Sequence, residues 1–206
     1  MIKNLVFDLG SVILKDTPRI VIDQLDLNPE ERRSINEFFS SRTVWRDLNL
    51  GLTDLESSVM AFNFAETIDQ NTKDILIHYY HYRPLNDELL DLIKRFEASG
   101  YRIYLLSNNN RDTERYLLKL PIIKQLIDGY VFSCDYGLAK PDPLIYLELF
   151  QKYNLRANEC FFVDDKKTNI DIGKQLGMRG FVFDEKKPDI ISDLEASVRI
   201  EKERKT

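Results

Sequence analysis

Three short apolar runs end in groups able to do chemistry: Leu5-Val6-Phe7 in Asp8, Ile103-Tyr104-Leu105-Leu106 in Ser107-Asn108-Asn109, and Phe161-Phe162-Val163 in Asp164-Asp165. A fourth segment, Gly137-Leu138-Ala139-Lys140-Pro141, carries a lysine just ahead of a helix expected to start near Pro143. Carboxylates brought within a few ångströms repel one another unless a cation lies between them, and hard oxygen donors without histidine or thiolate favour Mg²⁺. A phosphoryl group can bridge such a metal, its oxygens taken up by Ser107 and the backbone amides that follow, with Lys140 neutralising the spread charge. One carboxylate can then serve as nucleophile and form an aspartyl-phosphate. Taken singly, each group has a plainer reading: Asp8 as a turn or capping residue, Ser107 to Asn110 as a loop ending in a helix cap, Lys140 as a solvated lysine. The adjacent acids 164 and 165 resist that reading, and the joint arrangement, each group at a strand end, points to phosphoryl chemistry.

These groups need a scaffold that delivers them to one rim. Residues 3–9 read as a buried strand closed by Gly10. Apolar residues then recur at helical spacing over 17–25, 29–39, 53–68 and 71–82, with capping-type starts at Asn28-Pro29 and Thr53-Asp54. Arg83-Pro84 breaks the run, because a residue before proline is steered away from helix. After Pro84 helices (87–99, 112–118, 143–153, 169–176) alternate with strands (102–106, 129–132, 160–163, 180–183). Such alternation predicts an α/β fold, a doubly wound parallel sheet with helices on both faces, whose active site lies outside the carboxyl ends of the strands. The expected organisation is a Rossmann-like core of residues 1–14 and 84–206, with a helical cap of residues 15–83 inserted after the first strand. The tail from Arg199 to Thr206 is poor in apolar residues and is expected to fray.

With 43% hydrophobic and 31% charged residues, the 206-residue chain has the balance of an ordinary globular protein, which excludes collagen-like, low-complexity and wholly disordered classes. Its net charge of −5, without a long basic block, argues against nucleic acid or an anionic membrane as partner. No uncharged apolar stretch reaches the ~18–20 residues that span a bilayer, and Asp8 interrupts the apolar N-terminus before any leader-type cleavage site. Cys134 and Cys160, each among apolar or aromatic neighbours, read as buried free thiols in a reducing cytosol, so the expected location is cytoplasmic.

Phe7-Asp8-Leu9-Gly10-Ser11-Val12, Leu105-Leu106-Ser107-Asn108, Ala139-Lys140-Pro141-Asp142-Pro143 and Phe162-Val163-Asp164-Asp165 with Asn169-Ile170 resemble, in order and spacing, the four motifs of the haloacid dehalogenase-like (HAD) hydrolases. The resemblance runs from residue 3 to about residue 184, and within the superfamily it is nearest to the sugar-phosphate phosphatase branch whose first motif reads Phe-Asp-Leu-Gly-Asn-Val. It implies a Mg²⁺-dependent phosphatase of small phosphorylated metabolites, hexose phosphates among them. On this resemblance Asp8 is the nucleophile and a metal ligand, the Gly10 carbonyl and Asp165 complete the protein's share of Mg²⁺ coordination, and Asp164 supports the metal through water. Ser107 and the Asn108 amide would hold the phosphoryl oxygens, Lys140 would pin Asp8 and the transferring group, and Asn169 would orient the Asp165 loop.

One departure stands out. Phosphatases of the superfamily mostly carry a second Asp two residues after the nucleophile as general acid and base, and here that place is Gly10. General acid catalysis is typically worth ~10²- to 10⁴-fold, so the chain is expected to be slow, to borrow a group such as Asp16, or to favour good leaving groups such as an anomeric phosphate. Mutase activity is disfavoured, and dehalogenases of the superfamily carry an aromatic residue at this place. Two other classes compete: a non-catalytic phosphate- or partner-binding domain that lost its acid and base, and a phosphoacceptor receiver domain, whose acidic pair sits on the first strand rather than the last. His78 and His81 could share a metal at i and i+3 but read better as packing at the base of the cap, and Phe38, Phe39, Trp45 and Phe62 could line a substrate pocket under the cap but for the most part read better as its core.

Overall fold

The computed structural model describes residues 1–15, 22–23, 25–64 and 68–203. Five strands, β1 (Asn4–Phe7), β2 (Arg102–Ser107), β3 (Gly129–Phe132), β4 (Cys160–Asp164) and β5 (Arg179–Val182), form one all-parallel sheet in the order β3-β2-β1-β4-β5. β1 lies at the centre, with Phe7 in register with Leu105 on one side and Val163 on the other. All of β1 and β4 is buried, as a sheet covered on both faces requires, which is why these strands read as unbroken apolar runs.

Alternate residues feed two cores. Leu5, Phe7, Ile103, Leu105, Phe161 and Val163 pack against the helices Asp87–Ala98 and Ile190–Glu203. Val6, Tyr104, Leu106, Val131 and Phe162 pack against Pro143–Tyr153 and Lys167–Gln175. Both cysteines are free and buried, and burial pushes the Cys134 thiol up to about 12 and the Cys160 thiol up to about 11.

Among the described residues between β1 and Asp87, helices predominate and strands are absent, and this part has a core of its own around Ile35, Phe38, Val59, Phe64 and Leu76. Asn28 caps the helix Pro29–Ser40 through a capping box with Glu31, and Asp54 and Asp69 cap the helices Leu55–Ala61 and Gln70–Ile77. The two linkers lie side by side: Leu14 bridges Leu85, Lys15 donates to the Pro84 carbonyl at 3.0 Å, and Asn86 donates to the Ile13 carbonyl at 2.8 Å.

Several elements differ from the sequence expectation. The helix expected over 53–68 ends at Ala61, and Phe62 takes an extended backbone. Residues two apart share a face when extended but not in a helix, and both Phe62 and Phe64 meet Phe38, at 5.3 and 5.5 Å between ring centroids. The helix expected over 71–82 ends at Ile77, and Tyr79–Tyr82 form a 3₁₀ turn that buries Tyr79. A helix at Arg42–Asn49 was not anticipated, nor were the shorter Pro121–Leu126 and Ser133–Tyr136. Most of the stretch 17–25 lies outside the described residues. The tail does not fray at Arg199: the last helix continues to Glu203, because Ile190, Leu194 and Val198 bury one face at fourfold spacing and Arg179 pairs with Glu201 at 3.1 Å.

Candidate active site

The C-terminal rim of the sheet brings Asp8, Ser107, Lys140, Asp164 and Asp165 together. Asp8 sits one residue past β1, where its amide donates to the Val163 carbonyl at 2.9 Å and continues the sheet. Its Oδ1 accepts from the Leu9 amide at 2.7 Å and pairs with Lys140 Nζ at 2.9 Å. Lys140 Nζ also bonds Asp164 Oδ2 at 2.6 Å and the Leu106 carbonyl at 2.7 Å, so all three of its protons are committed. The side chains of Lys140 and Asp164 are 1% and 0% exposed, so this pair exists without solvent. Burial opposes the ammonium charge, but the carboxylates of Asp8 and Asp164 outweigh it and hold Lys140 above its ordinary pKa.

Asp164 is fully engaged. Its Oδ1 accepts from the Lys166 amide at 2.8 Å and from Asn169 Nδ2 at 2.9 Å, and Asn169 also reaches Oδ2 at 3.0 Å. Asp164 thus anchors Lys140 directly, and Asn169 orients Asp164, the residue before Asp165. Tyr146 fixes Asn169 in turn by donating to its carbonyl at 2.9 Å.

Asn108 shows a second role that its position after β2 did not announce. Its Oδ1 accepts from the Lys140 amide at 2.7 Å and its Nδ2 donates to the Lys140 carbonyl at 2.8 Å. The two loops are therefore stapled by one side-chain amide, which sets where the lysine enters the site. The following Asn109 is held through Ser133, and Asn110 caps the helix Arg111–Leu117 by accepting from the Thr113 amide at 2.9 Å. Ser107 is buried at the floor of a cavity.

Carboxylate oxygens of Asp8, Asp164 and Asp165 all lie within 4.8 Å of one another. Within this cluster one buried ammonium, Lys140, is shared by Asp8 and Asp164, while Lys166 and Arg83 stand at the border of the cavity beside Asp165. Burial first, then the charges of Asp8 and Asp164, push the Asp165 carboxyl up to about 6. An all-oxygen donor set with three carboxylates this close together fits a hard divalent cation such as Mg²⁺.

Two cavities meet at this rim. A polar one of about 190 Å³ is lined by Asp8, Lys140 and Asp165, and an aromatic one of about 230 Å³ lies between Ser107 and the rings of Phe39, Trp45 and Tyr79 from the inserted helices. Gly10, Arg83 and Asn108 line both. Arg83 entered the sequence reading only as the residue before a helix-breaking proline; the signal that could have placed it is that this proline returns the chain to the rim. Trp45 and Phe39, for which the sequence offers both pocket lining and core packing, do both: they pack against the core of the insert and form a wall of this cavity. His78 and His81 are exposed; His81 packs on Tyr116 at 4.5 Å and so joins the inserted segment to the core, while His78 meets Tyr80 and His81 within that segment. Asp16, considered as a proton donor, lies outside the described residues.

Residues 2–177 match the family model described as haloacid dehalogenase-like hydrolase. A D-ribitol-5-phosphate phosphatase of Bacteroides thetaiotaomicron is 26% identical over 191 residues, covering 88% of this chain and 91% of the relative. A flavin mononucleotide hydrolase of Arabidopsis thaliana is 28% identical over 150 residues, covering 68% of this chain and 57% of the relative. Among solved structures, a HAD family enzyme from Bacteroides thetaiotaomicron, in complex with magnesium and inorganic phosphate, superposes with a TM-score of 0.72 at 20% identity, over 91% of this chain and 96% of that one. Among the described residues, no helix is long and apolar enough to cross a membrane.

Proposed function

The chain belongs to the haloacid dehalogenase-like hydrolases, and on that premise we propose that it is a Mg²⁺-dependent phosphatase of small phosphorylated metabolites, hexose phosphates among them, working through an aspartyl-phosphate on Asp8. The observation that carries this reading is the buried ion pair of Lys140 with Asp8 and Asp164, beside Asp165 and under a cavity floored by Ser107. Lys140 and the Leu9 amide hold Asp8 by Oδ1 and leave Oδ2 for the phosphorus. Ser107 and the Asn108 amide bind the phosphoryl oxygens. Asp8, Asp165 and the Gly10 carbonyl would hold Mg²⁺, which when bound supplies positive charge against the phosphoryl oxygens. Lys140 acts on the reaction through Asp8, since its protons are already committed, and Asp164 and Asn169 keep it in place.

We take residues 15–83 as the cap and the rest as the catalytic core. The relatives that act on ribitol phosphate and flavin mononucleotide support a phosphorylated small molecule as substrate. The aromatic cavity supports a leaving group with an apolar face, as a sugar ring has. Two free, buried thiols support a reducing compartment, the cytoplasm in our reading. The test is phosphate release from a panel of sugar phosphates, nucleotides and an activated aryl phosphate, with and without Mg²⁺, using Asp8→Asn as the blank. Metal-dependent release that disappears in the blank is the expected result. Silence across the panel from a folded, Mg²⁺-binding protein would replace the reading with a non-catalytic phosphate-binding domain.

A further inference from the structure

Gly10 removes a side chain from the rim, and the space it leaves is bordered by a cation. A Cβ built on Gly10 would meet Arg83 Nη2 at 3.6 Å, an ordinary contact, so a guanidinium stands beside the direction in which a residue two after the nucleophile would project. Arg83 lines both the polar cavity and the aromatic one, and so borders the passage between them. If the phosphoryl group occupies the first and the rest of the substrate the second, the bond to be broken crosses that passage. Lys140 has no proton left to offer there. The backbone at Arg83 is extended between the 3₁₀ turn Tyr79–Tyr82 and Pro84, two residues before the Leu14–Leu85 bridge, so the guanidinium projects from a segment whose backbone is held on both sides.

We propose that Arg83 is a catalytic residue whose guanidinium takes up the negative charge of the departing leaving-group oxygen, so that the enzyme favours substrates whose leaving group departs as an anion. The proposal rests on the phosphatase reading. As the bond from Asp8 Oδ2 to phosphorus forms, the bond from phosphorus to the leaving oxygen breaks, and its electron pair stays on that oxygen opposite Arg83. The oxygen takes its proton from water after departure, and a second water cleaves the aspartyl-phosphate, releasing inorganic phosphate and restoring Asp8. A guanidinium does not give up its proton near neutral pH, so Arg83 stabilises charge without replacing a general acid. Substrates of this class are anomeric phosphates, acyl phosphates and phosphoanhydrides rather than phosphates of simple alcohols.

The test is kcat/KM for a series of aryl phosphates graded by the acidity of the leaving phenol, in the wild type, Arg83→Gln and Arg83→Lys. Arg83→Gln should lose little on the most acidic phenol and about 10²-fold on the least acidic, steepening the dependence, with Arg83→Lys between. Thermal unfolding checks that both variants are folded, and a loss of folded protein would cut every substrate alike. Losses of equal size across the series in folded Arg83→Gln and Arg83→Lys would overturn the proposal and make Arg83 a ground-state anchor, and no loss would overturn it altogether. Wild-type release from the most activated phosphate tests the underlying reading separately: if that is absent, both fall, and if it is present with parallel slopes, only the role of Arg83 falls.

Discussion

At the rim of the sheet, Lys140 spends all three protons and Asp164 accepts on both oxygens, each within 3.0 Å of a partner supplied by the protein. Across the aromatic cavity the hydrogen bonding is unfinished: Trp45 Nε1 and Asn109 Nδ2 are buried without a hydrogen-bond partner among the described residues. A satisfied buried network fixes geometry before substrate arrives, whereas an unsatisfied donor costs about 1–3 kcal/mol until something pairs with it. The contrast assigns two tasks to two regions. The rim has its polar groups paired within the protein, whereas the aromatic cavity is walled by rings of the inserted helices and has an unpaired donor on each side, Trp45 from the insert and Asn109 from the loop after β2.

That contrast can be broken at several points. Asp8→Asn should leave the fold intact and lower turnover by at least about 10⁴-fold, because a carboxamide cannot attack phosphorus; release rates above that limit would remove Asp8 as nucleophile. Chelation should silence the wild type, and Asp165→Ala should need roughly 10²-fold more Mg²⁺ to recover, read from a metal titration of phosphate release. Lys140→Met leaves two buried carboxylates without their cation and should cost about 3–5 kcal/mol in urea unfolding, far more than removing any exposed lysine. Gly51→Ala tests the joint between the regions: Gly51 has φ +68°, and a Cβ there would lie 2.3 Å from the Cys134 carbonyl oxygen. It should destabilise by about 1–3 kcal/mol while sparing the slope of the leaving-group series. Trp45→Ala should act on substrate choice alone, raising KM for a sugar phosphate about tenfold with kcat for a small aryl phosphate nearly unchanged. A fall in kcat for both would mean the rim depends on the cap for its geometry.

The two regions also differed in how far they could be read from the sequence. Asp8, Ser107 and Asp164 each close an apolar run whose neighbours in the sheet are runs of the same kind, so pattern and position coincide. The partnership of Asn108 with the Lys140 backbone was not legible, because it joins loops 32 residues apart through one amide. The helix Arg42–Asn49 is short and capped by a single serine, which gives little periodicity to detect, and it carries the tryptophan of the cavity. Phe62 and Phe64 read as helical because apolar residues were counted without regard to where their rings must meet. The C-terminal helix was overlooked for a related reason: three apolar residues at fourfold spacing sit among charges that suggested a tail.

The pairing of Leu14 with Leu85 brings the two ends of the inserted segment together at one point beyond the central strand. A segment spliced in this way can be lengthened, shortened or traded for another without moving the strands that carry the acids, since the gap it must close is the same for every insert. The insert and the sheet are thereby placed under separate mutational control. A lineage carrying this junction can exchange what lies between two adjacent residues while the strands and their acids are inherited unchanged.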